Sequence, residues 1–262
     1  MPNNGTRGAL ILGASSGFGE AAALAFAEDG WDIYGVHMDR REGLAHVAEI
    51  RAAIEARGQR AVFFNSNAAA AHKRGRTLDK IAEAAEPGSI GVLLHSLAFG
   101  TLLPFVGGED GDISPEQMNM TLDVMAHSLV YWTQGLLARG LMGEGGRIFA
   151  MTSSGGDRVI PTYGAVSAAK AALESHCRQL AMELAPLGIT ANAIRAGVTD
   201  TPALRKIPGA EAMTDRAAAS NPHGRLTRPE DAARCMVELA RPGTYWMTGN
   251  TVRVDGGEDF VA

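Results

Sequence analysis

Short apolar runs and amphipathic stretches alternate from the start of the chain. Gly8 to Leu12 is an apolar run closed by a glycine, the pattern of a strand buried on both faces. Gly17 to Glu28, alanine-rich with Phe18, Leu24 and Phe26, predicts a helix. Ile33 to Val36 is strand-like. Glu42 to Arg57 carries Leu44, Val47, Ile50 and Ile54 at helical spacing and stops at Gly58. A strand over Ala61 to Phe64, a polar helix around Arg76 to Ala85 stopped by Pro87-Gly88, and a strand over Ile90 to Leu94 follow. Ser114 at the cap and Pro115 just inside it open a long helix to about Arg139. Arg147 to Met151 reads as a strand, Tyr163 to Leu184 as a helix and Ile189 to Ile194 as a strand. Arg195 to Pro229, rich in Pro, Gly, Asn and Thr, reads as an irregular region with one short helix. A helix over Asp231 to Ala240 and a strand over Asn250 to Val254 close the pattern.

Repeated strand–helix alternation predicts an α/β fold: a single Rossmann-type, doubly wound parallel sheet with helices on both faces and right-handed crossovers. No linker, repeat or low-complexity segment divides the chain, so residues 1–262 are expected to form one domain, with a substrate-loop region about 196–228.

Composition narrows the function. Hydrophobic residues at 46% supply a large core, and a net charge of −5 without a basic stripe argues against nucleic acid. No apolar run reaches the ~18 residues of a membrane span, and Met1 to Leu12 is too short and glycine-rich for a signal peptide. Cys177 and Cys235 lie far apart and suit thiols in a reducing compartment. The expectation is a soluble, cytoplasmic protein. None of the seven histidines shows ligand spacing, so no metal is expected. His95 and His127 read as supporting or core residues. Tyr131, Trp132, Met118, Met120 and Met125 read as helix packing.

Gly13-Ala-Ser-Ser-Gly17-Phe-Gly19 joins the first strand to the first helix. Glycines there allow a tight turn and close approach of a pyrophosphate, and the helix start offers free N–H groups. Gly13, Ser15, Ser16, Gly17, Phe18 and Gly19 are therefore candidate dinucleotide contacts. An acid at the end of the second strand would hold a ribose, but that place is His37, followed by Met38, Asp39, Arg40 and Arg41. The arginines, Arg40 first, suit a 2′-phosphate, and Asp39 suits a ribose hydroxyl. NADPH is the expected cofactor, with NADH as the alternative.

Reduction of a carbonyl or an enone builds negative charge on oxygen, which calls for a proton donor and a cation that lowers its pKa. Tyr163 and Lys170 are seven residues apart, about 700° round a helix and so within ~20° of one face. With four tyrosines and four lysines in the chain, that spacing would arise by chance about 0.06 times.

Gly13-x3-Gly17-x-Gly19, Asn192-Ala-Ile, Thr201 and Val254-Asp255-Gly256-Gly257 stand in the order of the short-chain dehydrogenase/reductase superfamily, which the chain resembles over nearly its whole length. Most members carry Tyr-x3-Lys, where this chain has Val166. Its Tyr-x6-Lys spacing resembles the enoyl-acyl carrier protein reductases. So do His95-Ser-Leu-Ala-Phe99, Met125 in place of an asparagine, and Ala196-Gly197 after Arg195 in place of Ser-Pro-Gly.

The resemblance implies NAD(P)H-dependent reduction of trans-2-enoyl thioesters, on acyl carrier protein or coenzyme A, as in fatty acid synthesis. A donor displaced by three residues, ~4.5 Å of rise, would follow the thioester oxygen, which lies further along the substrate than a ketone oxygen. By the same resemblance Tyr163 protonates the enolate and Lys170 holds the nicotinamide ribose. Ser153, with Ser154 beside it, stands where enoyl reductases have a second tyrosine and ordinary members a serine, so it would assist with its hydroxyl. Asn67 and Ala68 would contact adenine, Ser96, Leu97 and Ala98 the adenosine ribose, and Val198 and Thr201 the carboxamide. A homotetramer built on the long helix and the tyrosine helix is expected by analogy. The alternatives are a ketone or 3-oxoacyl reductase and, in another class, a non-catalytic dinucleotide-binding regulator.

Overall fold

A computed structural model describes residues 7–109 and 111–261. The N-terminal part of the segment weighed as a leader lies outside the described residues. Seven strands form one parallel sheet in the order β3-β2-β1-β4-β5-β6-β7. They are β1 (Gly8–Leu12), β2 (Asp32–His37), β3 (Ala61–Asn65), β4 (Ile90–His95), β5 (Arg147–Thr152), β6 (Thr190–Ala196) and β7 (Thr251–Val254).

The apolar runs are strands because both sheet faces are covered. Ala9 and Ile11 of β1 point to a core with Ala22, Ala23 and Phe26 of α1 (Gly17–Glu28), Ile50 and Ile54 of α2 (Leu44–Glu55), and Ala232 and Met236. Leu10 and Leu12 point the other way, to Leu78 and Ile81 of α3 (Ala71–Ala84), and to Leu129, Trp132, Leu173 and Leu180. Strand alternation thus places one residue set on each face.

Several helices differ from the sequence pattern. α3 begins five residues before Arg76, because only Thr77, Leu78 and Ile81 are buried and its first turn carries no apolar signal. The long helix is α4 (Pro115–Leu122), a π turn over Asp123–His127, and α5 (Ser128–Ala138). Ser114 caps it as expected, with Ser114 and Gln117 bonding each other's backbone. α6 is Gly164–Leu184, so Tyr163 is its N-cap and not its first helical residue. The irregular region holds a full helix, α7 (Ala210–Ser220), after a tight turn at Leu204–Lys206. α8 (Pro229–Leu239) starts at its proline, where the Asp231 carboxylate accepts the Arg228 N–H at 2.9 Å.

The chain winds outward from β1 to β3, then returns to place β4 on the other side of β1. The loops after β1 and β4 therefore part at the carboxyl edge of the sheet, the switch point where ligands of such sheets bind.

Candidate active site

A cavity of about 310 Å³ opens at this switch point. The β1–α1 turn forms one wall. Gly13 has φ +90° and Gly17 φ +55°, the left-handed region that favours glycine. A Cβ on Gly19 would collide with the Gly13 carbonyl oxygen, and one on Gly13 with the Ser96 carbonyl oxygen. The glycines thus let the turn close on itself and on the end of β4. Ser16, the N-cap of α1, makes no side-chain cap bond among the described residues. Its hydroxyl and the first helical N–H groups remain for an anion at the positive end of the helix dipole. The cradle fits a dinucleotide phosphate.

The facing wall is also held from behind. The Trp132 indole, fully buried on α5, donates to the Ala68 carbonyl at 3.0 Å, and Asn67 Oδ1 accepts the Ala69 N–H at 3.0 Å. His37 and Met38 line the cavity at the end of β2. His37 is buried and its Nδ1 lies 2.8 Å from Asp39 Oδ2.

Tyr163, Lys170 and Ser153 gather where β5 ends and α6 begins. Tyr163 has φ −91° and ψ 2°, the sparsely allowed bridge region in which many active-site residues sit. Thr162 before it is the one non-glycine residue at positive φ among the described residues, and its hydroxyl is buried without a partner. Burial pushes the Tyr163 phenol above its ordinary value, and a hydrogen bond with the Ser153 hydroxyl draws it part of the way back. The Ser153 oxygen also accepts the Gly155 N–H at 3.1 Å. Lys170 is 6% exposed and donates Nζ to the Met151 carbonyl at 2.7 Å. Burial lowers its pKa to about 8, against the opposing charge of Glu174. Val166 is buried beside Tyr163, Met125 and Ala169, so an aliphatic side chain fills the Tyr-x3-Lys tyrosine position.

Gly13, Ser15, Ser16, Gly17, Phe18, Asn67, Ala68, Ser96, Leu97, Ala98 and Thr201 all line the cavity, and Gly19 lies in the turn beneath it. Several placements differ from expectation, and Lys170, expected also at the nicotinamide ribose, does not line the cavity. Arg40 is exposed at the start of a tight turn (Arg41–Gly43) and does not line the cavity. The Val198 N–H donates to both carboxylate oxygens of buried Glu258, at 3.1 Å each, so the amide expected at the carboxamide is already engaged. Met120, expected only to pack its helix, lines the cavity together with Val124.

His95 supports the site from β4. It is fully buried, and its Nε2 lies 2.8 Å from Ser128 Oγ, which itself donates to the Val124 carbonyl at 2.8 Å. That network places the proton on Nε2 and leaves Nδ1 buried without a partner. Burial, with the charge of Lys170, lowers the His95 pKa to about 3. Nothing in the sequence marks Ser128, 33 residues away, as its partner. Among the described residues no cluster of three or more His, Cys, Asp or Glu is placed to hold a metal, and no helix is long and apolar enough to cross a membrane.

A family model described as Enoyl-(Acyl carrier protein) reductase matches residues 13–258. The NADH-dependent enoyl-acyl-carrier-protein reductase of Aquifex aeolicus is 34% identical over 170 residues, which cover 65% of this chain and 62% of that protein. A crystal structure under the same enzyme name and species has a TM-score of 0.84 at 28% identity, covering 98% of this chain and 97% of the other. A 1-cyclohexenylcarbonyl-CoA reductase of Streptomyces collinus is 31% identical over 263 residues, 97% of this chain and 87% of that protein. A short-chain dehydrogenase of Burkholderia cenocepacia, solved with NADP, has a TM-score of 0.81 at 27% identity over 97% and 98% of the two chains.

Proposed function

The chain belongs to the enoyl-(acyl carrier protein) reductase family of the short-chain dehydrogenase/reductase superfamily, and we propose from that premise that it reduces the 2,3 double bond of trans-2-enoyl thioesters. The observation that carries this reading is Tyr163 at the N-cap of α6, seven residues before Lys170, with aliphatic Val166 in the intervening tyrosine position.

A nicotinamide cofactor held in this cavity would supply the hydride that adds to the β-carbon. The chain's own residues manage the charge that appears on the thioester oxygen. Tyr163 holds a proton on a desolvated phenol, and Ser153 orients that phenol and eases release of the proton. Lys170, whose Nζ donates to the Met151 carbonyl, would supply a cation behind the pair. Val166 and Met125 keep the site apolar, which strengthens each of these contacts. The β1–α1 turn holds the pyrophosphate, and Asn67, Ala68 and Trp132 shape the adenine end.

NADPH is the cofactor in this reading. The carboxylate that would grip a ribose, Asp39, is paired with His37 at 2.8 Å. A coenzyme A or acyl carrier protein thioester is the substrate class, fatty acid synthesis its setting, and a homotetramer the expected assembly by family resemblance. The Streptomyces relative, a CoA-thioester reductase by name, supports the substrate class.

Ser153 beside Tyr163 favours a second reading, reduction of a 3-oxoacyl thioester, since a hydroxyl there suits a ketone oxygen. Loss of absorbance at 340 nm with crotonyl and, separately, acetoacetyl thioester, each with NADPH and NADH, decides between them. Turnover of crotonyl thioester alone supports enoyl reduction, and turnover of acetoacetyl thioester alone overturns it.

A further inference from the structure

Arg195 has no part in the reading above, yet it is a buried cation paired with Glu174, one helical turn from Lys170. Its side chain is 8% exposed and reaches three carboxylates from the end of β6. Nη2 lies 3.1 Å from Glu174 Oε1, and Nη1 lies 2.9 Å from Asp157 Oδ2 and 3.8 Å from Asp259 Oδ2. Glu174 also accepts the Thr152 hydroxyl at 2.7 Å. Glu174 stands four residues after Lys170 on α6, and residues at that spacing face one another. Among the described residues the two nonetheless form no ion pair. The Glu174 carboxylate is turned to Arg195 and Thr152, and Lys170 Nζ is turned to the Met151 carbonyl.

We propose that Arg195 is a positioning residue for Lys170: by engaging Glu174 it keeps that carboxylate off the lysine ammonium, which stays directed at Met151 and the cofactor. The proposal rests on the Tyr163–Lys170 reading. Arg195 also joins the Ser153 side of the site to the C-terminal turn, through Asp157 and Asp259.

The consequence is a protonation balance. The charged and titratable groups that act on Lys170 are Glu174 on its own helix and neutral His95 on β4. Glu174 is the one charge that favours its ammonium. Without Arg195, Glu174 is free to swing toward Lys170 and hold its proton more tightly. With Arg195 holding Glu174, burial keeps the lysine pKa at about 8.

The test needs neither substrate nor cofactor. The chain has four lysines, Lys73, Lys80, Lys170 and Lys206. Protein labelled with isotopic lysine gives one side-chain signal for each, and Lys170→Arg identifies that of Lys170 by its loss. Followed against pH by NMR, the Lys170 signal should titrate near 8 in the native protein. Arg195→Gln should raise that midpoint by about half a unit or more, Arg195→Lys should restore most of it, and Glu174→Gln should lower it. An unmoved midpoint in folded Arg195→Gln overturns the proposal. Should Arg195→Gln fail to fold, a Glu174→Gln midpoint that does not fall overturns it instead. A purely bracing arginine would change the melting temperature and leave the Lys170 titration in place. Failure of the enoyl assay leaves this titration untouched, so the two readings fail separately.

Discussion

Thr162 stands at φ +61° immediately before Tyr163, which itself sits at φ −91°, ψ 2°. A β-branched residue in the left-handed region is strained, and strain of this kind costs about 1–3 kcal/mol. The Thr162 hydroxyl adds a buried, unpartnered oxygen. Both costs are borne where the chain must turn the phenol into the site. Thr162→Gly is therefore expected to raise stability by about 1 kcal/mol in urea titration, even after the added chain entropy of glycine. It should also lower kcat several-fold, because the approach to Tyr163 is looser. A variant less stable than the native protein would show that the conformation is not strained.

Tyr163→Phe removes the proposed proton donor and keeps the ring's packing against Val166 and Met125. General acid catalysis contributes ~10²–10⁴-fold, and kcat should fall by that order. Cofactor affinity, read by quenching of protein fluorescence, should stay within about twofold, since the cavity lining does not include Tyr163. Full activity in Tyr163→Phe would remove the tyrosine from the mechanism.

The strands and the phosphate turn were legible because their signals are local. Gly8 to Leu12 is apolar on both faces and ends in Gly13, and β1 and its turn lie there. Tyr163 and Lys170 stood out by spacing, and in the structure Tyr163 is a cap residue and not a helical one. What could not be read is what depends on distant partners. The π turn over Asp123–His127 leaves no composition signal, yet it belongs to the segment that brings Met120 and Val124 to the cavity. Arg40 looked like a phosphate ligand by its place after β2, but the chain turns it outward while His37 holds Asp39. Glu258 lies 60 residues from Val198, and no local pattern announces that its carboxylate takes that amide.

A Cβ at Gly19 would strike the Gly13 carbonyl oxygen, which is backbone and cannot rotate away. Gly19→Ala must therefore move the turn proposed to hold the pyrophosphate. Cofactor affinity should fall at least tenfold, about 1.4 kcal/mol, and the melting temperature should fall with it. Calorimetric titration with NADPH checks the first and thermal unfolding the second. Unchanged affinity would mean that the turn does not bear the phosphates.

His95 is neutral in the fold down to about pH 3, whereas unfolded it takes a proton at its ordinary value of 6.5. Between these values the unfolded chain binds more protons, so the stability that His95 contributes is present above pH 6.5 and is lost progressively as pH falls to 3. His95→Leu should flatten that acid loss in denaturant titrations at pH 7, 5.5 and 4. An equal loss in variant and native protein would mean that the ring charges within the fold without penalty.

Lys170 makes the opposite end of the pH range informative. Its pKa is lowered from 10.5 to about 8 by burial, so below pH 8 the fold carries a buried ammonium at a cost of about 3 kcal/mol. Between pH 8 and 10.5 the unfolded chain holds the proton that the folded chain has released, so native stability should rise with pH across that window, all else equal. Lys170→Met keeps the volume and removes the charge. At pH 7 it should be more stable than the native protein, with the margin reduced by the lost bond to Met151. By pH 10 the margin should have largely gone, because native Lys170 is then neutral. Catalysis should be lost at every pH, the usual exchange between stability and a costly functional group. Paired denaturant titrations of the two proteins at pH 7, 8.5 and 10 measure the margin. A gap that does not close with rising pH would mean that Lys170 keeps its ordinary pKa, and that the cation behind Tyr163 is not held under tension by its burial.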